Sequence, residues 1–105
     1  MKVIFHLNQI ERLNHCIANI RNLSQRNLEN LELLINGDAI TLFVSEDQSV
    51  FKQLLEQKVD VVACQNSLTA HHIHADELCE GIRIVPTGVY ELIEKQTEGY
   101  AYIKP

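Results

Sequence analysis

Strand-like runs without polar alternation are interleaved with helical stretches along the whole chain, and this interleaving constrains the fold more than any other feature. A strand that shows no polar face is covered on both sides. Lys2 to Leu7 (KVIFHL), the leucines and Ile35 of LELLING, Val59 to Ala63 and Ile82 to Val85 have this character, and YAYIKP offers a fifth strand. Between them, apolar residues recur at spacings of three and four. Asn8 with Glu11 matches a capping box for a helix to about Leu23, with Ile10, Leu13, Ile17 and Ile20 on one stripe. Ser45 with Gln48 matches another, for a helix to about Lys58 carrying Val50, Phe51, Leu54 and Leu55 inward. Ser67 to His74 reads as a short helix. Pro86 ends the fourth strand, and Thr87 caps a last helix with Val89, Leu92 and Ile93 inward and Gly99 as its stop. Residues 24–30 are a polar connector, Asn36-Gly37 a turn, and residues 38–45 (DAITLFVS) either a short strand or a loop carrying apolar residues toward a partner subunit. Such alternation implies βαβ units, hence an α/β fold with a mostly parallel sheet and helices on both faces; the strand order stays open.

A chain of 105 residues forms one domain that removes about two-thirds of its unfolded surface from water, so it needs neither disulfides nor metal to fold. Its three cysteines, Cys16, Cys64 and Cys79, form no C-x-x-C pair and leave one over, which argues against a secreted disulfide scaffold. No signal-peptide pattern opens the chain, and no run approaches the roughly 18 apolar residues of a membrane helix. A soluble protein of the reducing cytoplasm is expected. Nine basic against fourteen acidic residues give a net charge of −5 with no basic patch, so direct nucleic-acid binding is not expected.

Cys64 is the candidate reactive atom, because it stands where a buried strand ends and a helix begins in VDVVACQNSLTAHHI. Sulfur nucleophiles work as thiolates, and an ordinary thiol is mostly protonated at neutral pH. Backbone N–H groups of a helix opening at Gln65, Asn66 and Ser67 would favour the anion, and ligands of open α/β sheets gather beyond the carboxyl ends of the strands. The competing reading makes Cys64 a small buried packing residue. Thr87 and Gly88 are first a helix cap, and their N–H groups are further candidates for anion binding.

Four stretches, KVIFHL, VDVVACQNSL, GIRIVPTGVYELIEKQ and EGYAYIKP, resemble the DsrE/DsrF-like family, a group also called YchN-like. The resemblance runs nearly end to end over residues 1–105. It implies a three-layer α/β/α sandwich with about five strands that assembles as a homotrimer or homohexamer. In the family's sulfur-relay subunits, a cysteine between a central strand and the next helix takes sulfane sulfur as a persulfide and passes it to a partner protein. Cys64 falls at the matching place, although Gln65-Asn66-Ser67 stand where relay subunits carry small and basic residues. The resemblance thus implies a sulfurtransferase-like persulfide carrier with a donor or acceptor protein and no cofactor; the alternative is a non-catalytic oligomer that binds a small ligand or partner.

The remaining polar residues carry weaker expectations. Cys16 lies on the apolar stripe as a core residue. Cys79, in the acidic segment DELCEG, would be a resolving thiol for a redox sensor only if it approached Cys64. His71, His72 and His74 suggest a metal, but successive helical residues point about 100° apart, so no ligand set is expected and surface histidines or an acid/base helper fit better. Asn36-Gly37-Asp38 can line a pocket at the end of strand two. Tyr90, Tyr100 and Tyr102 are expected in packing or subunit contacts. No phosphate-binding glycine motif occurs.

Overall fold

In the computed structural model, which describes residues 1–26 and 30–105, the strand-like runs form β1 (Lys2–Leu7), β2 (Asn30–Ile35), β3 (Asp60–Cys64), β4 (Arg83–Val85) and β5 (Ala101–Ile103). The polar connector expected at 24–30 falls partly outside the described residues. All neighbouring strands are parallel, and their order is β4-β3-β2-β1-β5. The helices are α1 (Leu13–Ser24), α2 (Ser49–Glu56), α3 (Gln65–Ala70) and α4 (Gly88–Thr97). Stepping from β1 to β4 moves one way across the sheet, while the step from β4 to β5 returns over all of it. Right-handed crossovers therefore put α1, α2 and α3 on one face and α4 on the other.

The core divides accordingly. Val3, Phe5, Leu7, Leu33, Ile35, Val61 and Ala63 point into a large cluster with Cys16, Ile17 and Ile20 of α1, Phe51 and Leu54 of α2, and Leu68 of α3. The alternate residues Ile4, Leu34, Val62 and Val85 form a smaller cluster under Leu92 and Tyr100. One ten-residue helix, about 15 Å long, covers that second face. The expected three-layer α/β sandwich is present, with one layer reduced to α4.

Several local expectations are corrected. Neither capping box forms. Gln9, without a side-chain bond, precedes a 3-10 turn at Ile10–Arg12, and Ile10 is exposed because this turn rotates it off the α1 stripe. Asp47, not Ser45, accepts the Ser49 N–H at 2.9 Å, while Gln48 turns back to donate to the carbonyls of Leu42 and Ser45. Gly37–Val44 is neither strand nor partner-seeking loop but a 3-10 run that buries Ala39, Ile40 and Phe43 in the large cluster. Its period of three puts Ile40 and Phe43 on one side. The helix expected from Ser67 to His74 starts at Gln65 and ends at Ala70, because His72 turns left-handed at φ 57°. On α4, Val89 and Ile93 face outward; Gly88, Glu91 and Leu92 turn inward, since the sheet beneath offers a polar group for Glu91.

Candidate functional site

The carboxyl ends of β1, β2 and β3 carry a row of polar side chains on the face covered by α4. Cys64 is the last residue of β3, two on from inward-facing Val62, and it is also the residue from which α3 departs. Ile35 pairs with Ala63, so Asn36 arrives beside Cys64. His6 follows Ile4 on the same side of β1, and Tyr102 is the register partner of Ile4 on β5. The row therefore reads Cys64, Asn36, His6, Tyr102.

Cys64 is only 4 % exposed, yet its cover is polar. The N–H of Gly88, at the start of α4, donates to its Sγ at 3.2 Å. Burial pushes the thiol pKa up, but hydrogen bonds from the Ser67 hydroxyl and from the backbone N–H groups of Ser67, Gly88 and Asn66 outweigh it and hold the pKa below its ordinary value. The Ser67 hydroxyl oxygen in turn accepts the Gly37 N–H at 2.9 Å, which fixes its position. Gly88 packs closely here: a Cβ would meet Asn36 Nδ2 at 3.2 Å and Cys64 Cβ at 3.4 Å, so the Asn36 amide would have to give by a few tenths of an ångström. Of the residues expected around Cys64, the structure thus gathers Asn66, Ser67 and Gly88 and sets Thr87 aside. Thr87 is the extended residue before α4, makes no side-chain cap bond, and faces a cleft of about 310 Å³ with Arg83, Tyr90 and Glu94.

Beyond the thiol, His6 Nε2 lies 2.8 Å from Asn36 Oδ1 and His6 Nδ1 lies 2.6 Å from the Tyr102 hydroxyl. Burial lowers the His6 pKa, the bond to Asn36 raises it, and Lys104 lowers it, for a net fall. Sequence reasoning placed Asn36 in a turn able to line a pocket, gave Tyr102 to packing or subunit contacts and passed over His6. The usable signal was period two: His6 and Tyr102 share a face only once β1 and β5 are known to pair.

The other candidates do not join this row. Cys79 packs against the large cluster on the opposite face, and Cys16 lies within that cluster, where burial alone pushes its pKa up to about 12. His71 Nε2 approaches Asp38 Oδ1 at 3.4 Å, and His72 and His74 are exposed. Among the described residues, no three His, Cys, Asp or Glu side chains converge as metal ligands do. Tyr90 is exposed, and Tyr100 packs beneath Lys2 and Lys95. No helix among the described residues is long and apolar enough to cross a membrane.

A second polar group, unforeseen in the sequence, lies at the amino ends of the same face. Arg83 donates to both oxygens of Asp60 at 3.1 and 2.8 Å, to Glu91 Oε2 at 2.7 Å and to Glu32 Oε1 at 3.5 Å. One cation cannot neutralise three carboxylates. Glu32, 1 % exposed, takes up a proton instead: burial first, then its bond to Glu91, pushes its pKa to about 9. Burial raises the Glu91 pKa too, but the Glu32 proton and Arg83 outweigh it and keep Glu91 ionised.

Comparison with known proteins agrees with this architecture. No curated protein matches the chain. A protein of unknown function from Methanobacterium thermoautotrophicum superposes with a TM-score of 0.89 at 32% identity, covering 99% of this chain and 98% of that one. The ychN protein from E. coli gives 0.80 at 19% identity over 100% and 99% of the two chains. A conserved protein of unknown function from Bacteroides thetaiotaomicron gives 0.78 at 17% identity over 99% and 94%. The last two share the fold. The family profile is matched over residues 2–105, and the chain belongs to the DsrE/DsrF-like family.

Proposed function

We propose that this protein is a sulfur-relay subunit that carries a persulfide on Cys64 and works as a homotrimer or homohexamer. The observation that carries this reading is the set of donors around Sγ: the hydroxyl of Ser67 and three backbone N–H groups lower the thiol's pKa despite its burial. In the transfer step the Cys64 thiolate attacks the terminal sulfur of a donor persulfide. The donor's S–S bond breaks, a new S–S bond forms at Cys64, and the donor leaves as a thiolate. The sulfane sulfur moves without net oxidation. Since Cys64 is 4 % exposed, the donor must approach with its terminal sulfur leading.

That same burial favours a second reading, in which Cys64 is structural and the protein binds a small ligand or partner without catalysis. Mass measurement after incubation with a sulfane-sulfur donor separates the two. The relay reading expects the gain of one sulfur atom in the wild type and none in Cys64→Ser; no gain, or equal gain by both, overturns it.

A further inference from the structure

The row from Cys64 to Tyr102 has a direction. His6 offers one donor and one acceptor when neutral, and both ring nitrogens are engaged, by the Tyr102 hydroxyl and by Asn36 Oδ1. If Nε2 carries the hydrogen, it donates to Asn36 Oδ1, and Nδ1 accepts from Tyr102. The amide group of Asn36 then turns its Nδ2 toward Gly88 and Cys64, where both Asn36 Nδ2 and Cys64 Cβ adjoin the same point beside the Gly88 Cα. The opposite tautomer would turn the amide oxygen toward an anionic sulfur and be repelled. Nδ2 donates to no acceptor among the described residues, and it makes no bond to Sγ itself.

We propose that Asn36 is the residue that holds the terminal sulfur of a persulfide on Cys64, with His6 and Tyr102 as positioning residues that orient its amide. This rests on the relay reading for its ligand. The division of labour follows from the donors each sulfur would meet. Ser67, Asn66 and Gly88 donate to Sγ, whereas the Asn36 amide adjoins Gly88 and Cys64 without bonding Sγ, and is the donor left for a terminal sulfur, which carries the negative charge. The burial that disfavours a second proton on His6 keeps the chain in its neutral, directional state. It also gives the C-terminal strand a chemical task, because Tyr102 of β5 ends the row.

The first test needs no persulfide. The nitrogen shifts of the His6 ring in solution are expected to show hydrogen on Nε2; hydrogen on Nδ1 overturns the proposal. The second uses a persulfide made on Cys64 in a Cys79→Ser background, with Cys16 shielded by burial. An aryl mixed disulfide of Cys64 is treated with hydrosulfide, which attacks the Cys64 sulfur and expels the aryl thiolate. The persulfide of Asn36→Ala is expected to react with cyanide about tenfold faster than that of unaltered Asn36, the loss of one hydrogen bond to a charged group. The pH midpoint for alkylating the free Cys64 thiol is expected to stay where it was. Equal persulfide lifetimes, or a shifted thiol midpoint, overturn the assignment of Asn36. Tyr102→Phe keeps the ring and the fold, and is expected to shorten the lifetime by a smaller factor; no change removes Tyr102 from the chain. Failure of the wild type to load from a sulfane donor would sink the relay reading alone, since the chemically made persulfide still tests Asn36.

Discussion

Cys16 and Cys64 are both buried, yet their surroundings drive their ionisation in opposite directions. Cys16 lies in the large hydrophobic cluster, where burial pushes its pKa up to about 12; Cys64 has four donors, and its pKa falls. Alkylation of the native protein near neutral pH should therefore label Cys64 and spare Cys16, as peptide mapping would show. Ser67→Ala removes a donor to the thiolate, and the pH midpoint of Cys64 alkylation should rise. An unchanged midpoint would mean that the backbone groups suffice. At this scale the sequence was partly legible. A run of β-branched residues ending in a cysteine located the thiol, and Asn66 and Ser67 followed as the next residues in the chain. Gly88 was visible as a cap and as a candidate anion donor, but its approach to this sulfur depends on how β4 pairs with β3. His6 and Tyr102 lie 96 residues apart and meet through β1 and β5.

Among the elements, α4 departs furthest from expectation. Val89, Leu92 and Ile93 suggested an apolar inner face, but Arg83 and Glu32 beneath the helix draw Glu91 inward and turn Val89 and Ile93 out. Hydropathy spacing cannot register a polar pair that is satisfied across a sheet. The cluster gives stability two opposite pH dependences. Glu32 has a raised pKa in the fold, so its contribution is full below the ordinary carboxylate range and is lost as pH rises toward about 9. Glu91 has a lowered pKa, so its contribution is present above that range and is lost as pH falls. In urea unfolding, Glu32→Gln should flatten the decline in stability between neutral pH and pH 9; an unaltered slope would show that Glu32 is ionised in the fold. Arg83→Met leaves the buried Glu91 carboxylate without its cation, and, because Arg83 is itself partly exposed, should cost on the order of 2 kcal/mol.

For the molecule as a whole, α/β class and parallel pairing were legible because uniformly apolar strands alternate with helices. The strand order was not, since short strands apolar on both faces fit many neighbours equally well. The proposed assembly belongs to this scale. Val89, Tyr90 and Ile93 are 61, 63 and 58 % exposed along one side of α4, an apolar strip suited to burial against another subunit. Ile93→Lys should shift the sedimenting species toward the monomer if that strip is the interface; an unchanged mass would place the contact elsewhere.

The return crossover from β4 to β5 has a consequence in time. β1, β2 and β3 are adjacent both in space and in order of synthesis, so they can pair while later residues are still being added. Gly88 and Tyr102 follow them by some 20 to 40 residues, a delay of a few seconds at typical elongation rates. A nascent chain therefore carries Cys64 before it has the helix that donates to the sulfur. The Gly88 N–H, one of the four donors to that sulfur, is added only when the last crossover docks, so the thiol reaches its full acidity with the closing of the sheet.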